Sequence, residues 1–156
     1  MSKPTILIVP GSFGPPHIYS TLISHLRSAG YPSFALQLPS TVKRMPLPPA
    51  SMSDDADAIR RAVEIVVEDG RECVVVCHSY GGTPTSQGVA GLKVKRVVYL
   101  SAIVPRVGET QISALWGDGG ELPMEETVSL LPIFQFSSLI GFGEDAKIVG
   151  VWVIRG

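Results

Sequence analysis

Ser79 is the residue best placed to do chemistry. It lies in His78-Ser79-Tyr80-Gly81-Gly82, directly after the apolar run 73–77 (CVVVC) and before a segment of helical character. A strand, a sharp turn and a helix in that order lift a serine hydroxyl above the end of a sheet, where it can attack an electrophilic carbon. The pattern is close to G-x-S-x-G, with Cys77 in the first glycine position. Strand and helix approach closely at such a turn, so small residues are needed on both sides. Gly81 and Gly82 meet that need on one side, and Cys77 is a compact substitute on the other. The turn aims the backbone N–H of Tyr80 at the reacting carbonyl, and the helix behind it adds a positive field. A second donor is expected from the loop after the first strand, at Ser12 beside Pro10-Gly11. Donors of this kind are typically worth about 3–4 kcal/mol each in the transition state.

The same chemistry needs a base. The chain has three histidines, His17, His25 and His78, and none follows Ser79. His78 precedes the serine, so its side chain should diverge from the hydroxyl; a structural hydrogen bond suits it better. His17 lies near the loop after the first strand and is the alternative base, on condition that geometry brings it close. His25 sits beside Leu26 on a predicted helix and reads as a partly buried or surface residue. Glu109, Asp118 and Asp145 occupy the stretch where an orienting acid could lie. Without a histidine to orient they read as solvated carboxylates. Cys73 and Cys77 share one face of a strand, too far apart to bridge, and have no second ligand pair for zinc. The loop Gly11-Ser12-Phe13-Gly14 lacks the third glycine of a dinucleotide site and the Lys-Ser/Thr of a P-loop. No metal or organic cofactor is expected.

The elements that must position Ser79 follow from periodicity. Thr5–Val9 (TILIV) is a continuous apolar run, expected to be a strand buried on both faces. Ile18, Leu22 and Leu26 then recur at helical spacing, stopped by Gly30 and Pro32. Residues 33–38 are a second strand. Residues 39–50 hold four prolines and form a long loop. Ser51 or Ser53 caps a helix whose apolar stripe is Met52, Ala56, Ile59, Val63 and Val66, with Asp54, Asp55 and Asp57 near its positive end. Residues 73–77 and 96–103 are the third and fourth strands. Alternating strands and helices imply parallel pairing through right-handed crossovers. Beyond Pro105 the pattern weakens. Residues 109–116 and 124–131 are candidate short helices, and 148–154 is either a strand or an apolar tail.

Composition bounds the remaining possibilities. At 156 residues, 45% hydrophobic and 17% charged, the chain suits one globular domain rather than disorder. A net charge of −1 gives no electrostatic case for nucleic acid or an anionic membrane as partner. The apolar core of the N-terminus is too short for a secretory signal, and no apolar run approaches a membrane span. With two unpaired thiols, a soluble cytoplasmic protein is the expectation.

VPGSFGPP, AGYPSFALQLPS, the capped helix and CHSYGG, in this order, resemble the α/β-hydrolase superfamily. The likeness is to small esterase-like members related to plant methylesterases and hydroxynitrile lyases, and it covers about residues 3–132. The resemblance implies a three-layer α/β sandwich with a mostly parallel sheet, ordered second, first, third, fourth strand. It implies Ser79 as nucleophile of a serine esterase, Ser12 and Tyr80 as the oxyanion hole, and a small ester-like substrate. It also implies a lid after the fourth strand, beginning near 108–131, with 133–156 as an atypical tail. The family order is serine, acid, histidine. The expected reading is therefore a C-terminally incomplete, truncated hydrolase fold whose sheet edge beyond the fourth strand stays uncovered, open to self-association. Two other activities stand beside the esterase: an inactive binding module using the same pocket, and a lyase of the hydroxynitrile type.

Overall fold

The computed structural model describes residues 2–108, 110, 111 and, by backbone alone, 151–155. The chain divides into two units. One comprises Met1–Val104 with Gly150–Gly156; the other is Pro105–Val149. The two candidate helices after Pro105, the lid, most of the tail, and Glu109, Asp118 and Asp145 lie outside the described residues.

The larger unit is a five-stranded sheet in the order β2-β1-β3-β4-β5. Its strands are β1 (Thr5–Val9), β2 (Ser33–Ala35), β3 (Cys73–His78), β4 (Arg96–Leu100) and β5 (Val151–Arg155). The first four pair in parallel, as the alternation of strand and helix requires. Between them run α1 (Ser20–Ser28), α2 (Met52–Glu68) and α3 (Gly82–Gly88). The step from β1 to β2 goes one way across the sheet and the next two steps go the other way. Right-handed crossovers therefore put α1 on one face and α2 with α3 on the opposite face, which makes three layers.

Each element follows from its residues. β1 is buried at all five positions, because a central parallel strand is covered on both faces. β2 is shorter than its sequence suggests, although Leu36 N–H still donates to Ile8 O at 2.9 Å. α2 opens on a reciprocal cap: the Ser51 side chain accepts from Asp54 N–H, and the Asp54 carboxylate accepts from Ser51 N–H. Ile59, Val63 and Val66 of its stripe form one core cluster with Leu7, Val9, Val75, Cys77, Val97 and Tyr99 from the three central strands, and Ala56 is buried as well. Met52, expected in that stripe, is only half-buried. The principal core thus lies between the sheet and α2. α1, by contrast, contains no buried residue. Among the described residues no helix is long and apolar enough to cross a membrane.

One expectation is corrected. The edge beyond β4 is not uncovered, because β5 pairs with β4 antiparallel, Val98 opposite Val153. The β-branched and aromatic residues of 151–155 favour an extended chain. A periodicity read along one segment does not reveal its partner strand 50 or so residues away in sequence, and this is why the tail reading stayed ambiguous.

Candidate active site

The chain reverses at Ser79. β3 ends at His78, and Ser79 takes φ 52°, a left-handed conformation that is costly for any residue with a side chain. A short 3-10 turn, Ser79–Gly81, leads straight into α3. Among the described residues two other non-glycine residues have positive φ, Phe13 at 57° and Ser101 at 44°. Phe13 lies in the loop after β1, Ser79 immediately after β3, and Ser101 immediately after β4. All three strained residues therefore follow the carboxyl ends of neighbouring parallel strands. Strain of this kind persists only where surrounding contacts over-determine it, and it clusters at functional sites.

Those contacts are close. A Cβ on Gly81 would lie 2.5 Å from Pro10 O and 2.8 Å from Val9 O, so the end of β1 rests directly on the elbow. A Cβ on Gly82 would lie 2.5 Å from Ile103 O and 2.9 Å from Ala102 Cβ. On that side Ile103 N–H donates to Ser79 O at 3.0 Å. A Cβ on Gly11 would come within 3.0 Å of Ser79 Cβ, so the loop after β1 abuts the serine. Ser12, the next residue, is exposed, and Ser79 itself is half-buried.

Two polar networks, one buried and one part-buried, brace this arrangement. In the first, Gly11 N–H donates to the Tyr19 hydroxyl at 3.3 Å, and that hydroxyl lies 3.2 Å from His78 Nδ1. Burial raises the Tyr19 phenol to about 12, against a smaller opposite effect from the Gly11 N–H. Burial also lowers the His78 pKa, favouring the neutral ring. A protonated phenol can then donate to Nδ1 of the neutral ring. This network joins the residue before Ser12 to the residue before Ser79. In the second, the Asp55 carboxylate accepts from Ser40 N–H at 2.9 Å, from Ser40 Oγ at 2.5 Å and from the Tyr80 hydroxyl at 2.7 Å. Burial, and then Asp55, raise the Tyr80 pKa, so its phenol stays protonated and donates.

Cys77 has no exposed surface, and burial raises its thiol to about 12, so it fills space and is no thiolate nucleophile. Cys73 is also buried, and both cysteines are free. His17 is exposed and lines a shallow groove of about 340 Å³ with Ser20, Ile23, Arg27 and Phe34, on the α1–β2 flank. His25 is exposed on α1, its Nδ1 2.8 Å from Thr21 O. Among the described residues no cluster of His, Cys, Asp and Glu could hold a metal ion.

Asp55, Ser40 and Tyr19 escaped the sequence reading. A signal for Asp55 did exist: it lies one residue before Ala56 and four before Ile59, on the buried face of α2. Three acids within four residues near a helix start, Asp54, Asp55 and Asp57, favour the helix-dipole explanation, which holds for the cap residue Asp54 and conceals Asp55. Tyr19 and Ser40 are loop and turn residues whose partners are remote in sequence.

A model of the alpha/beta hydrolase family matches residues 6–152. A probable hydrolase of a Phoma species is 57% identical over 137 residues, covering 85% of this chain and 56% of that protein. An alpha/beta hydrolase of Aspergillus novofumigatus is 35% identical over 120 residues, covering 70% of this chain and 47% of that protein. The chain thus spans about half the length of the curated relatives it matches. Among solved structures, tomato methylketone synthase I in complex with 2-tridecanone aligns with TM-score 0.57 at 17% identity, over 100% of this chain and 58% of that one. An extracellular alpha/beta-hydrolase of a Paenibacillus species aligns with TM-score 0.56 at 16% identity, over 65% of this chain and 42% of that one. At such identities these two similarities speak to fold alone.

Proposed function

The chain belongs to the alpha/beta hydrolase family, and from that premise we propose that Ser79 is the nucleophile of a carboxylic ester hydrolase. The observation that carries this reading is the positive φ of Ser79 at the carboxyl end of β3, with the loop after β1 packed against it. A strained serine at a topological switch point, where neighbouring crossovers leave to opposite faces, is costly to keep. As a nucleophile it has a use for that strain.

The steps follow from the chemistry. Ser79 Oγ attacks the ester carbonyl carbon while its proton passes to a base. The carbonyl electron pair moves onto oxygen, and the backbone N–H groups of Tyr80 and Ser12 stabilise the resulting oxyanion. The intermediate collapses and breaks the bond to the alkoxide, which leaves as the alcohol with the transferred proton. Water then hydrolyses the acyl-serine and restores Ser79. Phe13, 87% exposed on the abutting loop, offers an apolar contact to an acyl or alkyl group.

No histidine follows Ser79 in the 156 residues. Without a triad base, turnover is expected to fall by about 10⁶ relative to a complete triad. For the 156 residues by themselves a second reading is a binding module that holds ester-like molecules at the elbow without turning them over. Pre-steady-state hydrolysis of an activated aryl ester distinguishes the two. The hydrolase reading predicts slow release of about one equivalent of phenolate per protein as Ser79 is acylated, abolished in Ser79→Ala. Binding of the ester with no release of phenolate that depends on Ser79 in folded protein supports the binding module and contradicts the hydrolase.

A further inference from the structure

Asp55 has no exposed surface, and nothing in the scheme above uses it. Burying a carboxylate costs several kcal/mol unless donors replace its water. Here three donors do, and they come from two separate loops. Ser40 supplies its N–H and its hydroxyl from the turn Pro39–Thr41 after β2. Tyr80 supplies its phenol from the elbow after β3. β2 and β3 flank β1, so the first turn of α2 reaches across the central strand and ties together the chain ends on either side of it. An apolar residue would fill the same helix position next to Ala56 and Ile59. A carboxylate adds direction: it fixes the far end of the Tyr80 side chain.

Tyr80 is also the residue whose backbone N–H points at the oxyanion in the proposed reaction. We propose that Asp55 is a positioning residue for that donor: anchored by Ser40, it holds the Tyr80 phenol and thereby fixes the peptide between the strained Ser79 and Gly81. The inference rests on Ser79 as nucleophile and deepens that reading. The near end of Tyr80 is held by the left-handed turn at Ser79 and by the tight approach of Gly81 to Pro10 O. The far end is held by the carboxylate. With both ends held, the N–H has one direction, and it does not reorganise as charge develops.

The test compares the 156-residue chain with Tyr80→Phe, Asp55→Asn and the double variant. Two readouts are taken on samples shown to be folded by circular dichroism. The first is amide exchange in the peptide spanning 79–82. It should accelerate about tenfold in each single variant, and the double variant should be no faster than the faster single one, as coupled residues require. The second is inactivation by an alkyl fluorophosphonate, resolved into kinact and KI. We expect kinact to fall about tenfold while KI stays within twofold, a split that mere loosening of the fold would not produce. Elbow exchange in folded Tyr80→Phe equal to that of the parent chain overturns the positioning role. If the parent chain does not react with the probe at all, the nucleophile reading fails, and the exchange measurement still decides the role of Asp55. If Asp55→Asn does not fold, Tyr80→Phe decides alone.

Discussion

The elbow after β3 and the α1–β2 flank belong to one sheet and are built in opposite ways. At the elbow, missing side chains set the geometry: added carbons at positions 81 and 82 would lie 2.5 Å from carbonyl oxygens. The Tyr19 hydroxyl, accepting from Gly11 N–H, and the Asp55 carboxylate, accepting from the Tyr80 hydroxyl, then lock it. On the flank, α1 buries no residue, and His17 and Arg27 line an open groove. Arg27 there donates to Ser33 O at 2.7 Å across the rim. The difference teaches which part of the fold is held in a single geometry. His17 lines the open groove of the flank, whereas Ser79 is met by backbone from two sides.

The contrast can be broken most severely at Gly82. Gly82→Ala should destabilise by about 3 kcal/mol, because its Cβ meets backbone that cannot yield. Gly70→Ala serves as the control. Its φ is also positive, at 73°, but no atom lies within 4 Å of the added carbon, so only the backbone preference is lost, about 1 kcal/mol. Urea unfolding of both measures the gap, and equal losses would show that the close approach at the elbow is not rigid.

A smaller effect tests the buried ring. Burial holds the His78 pKa below its ordinary 6.5. Between 6.5 and that lowered value the unfolded chain binds a proton that the folded chain does not. Stability from this group is therefore present above pH 6.5 and lost as pH falls through the folded-state value, with a slope of at most about 1.4 kcal/mol per pH unit. Urea midpoints collected from pH 7.5 down to 5 should show a shallower dependence in His78→Asn than in the parent chain. The smallest effect belongs to the flank. His17→Ala should change stability by less than about 0.5 kcal/mol and probe reactivity by less than twofold, since its side chain is exposed. A large loss of reactivity would instead make His17 the base.

Much of this architecture was legible from local pattern. β1 was readable as five consecutive apolar residues, and α2 from its serine cap and stripe. The turn at Ser79 was readable from a strand running into two glycines. What stayed hidden depends on pairs remote in sequence. The Asp55–Tyr80 bond spans 25 residues and the Tyr19–His78 contact 59. β5 joins β4 across more than 50 positions of the chain. Periodicity along one segment reports the face a residue shows, not which side chain meets it there. The short β2 is a milder case, since β propensity over 33–38 does not say where pairing with β1 stops.

The central claim is that the Ser79 hydroxyl is the reactive group. Its most direct test is exposure of the folded chain to a fluorophosphonate, followed by intact mass and peptide mapping. Displacement of fluoride by Ser79 Oγ predicts one phosphonyl adduct, on the peptide containing Ser79, absent in Ser79→Ala. An adduct on any other residue, or none on folded protein, would contradict the account.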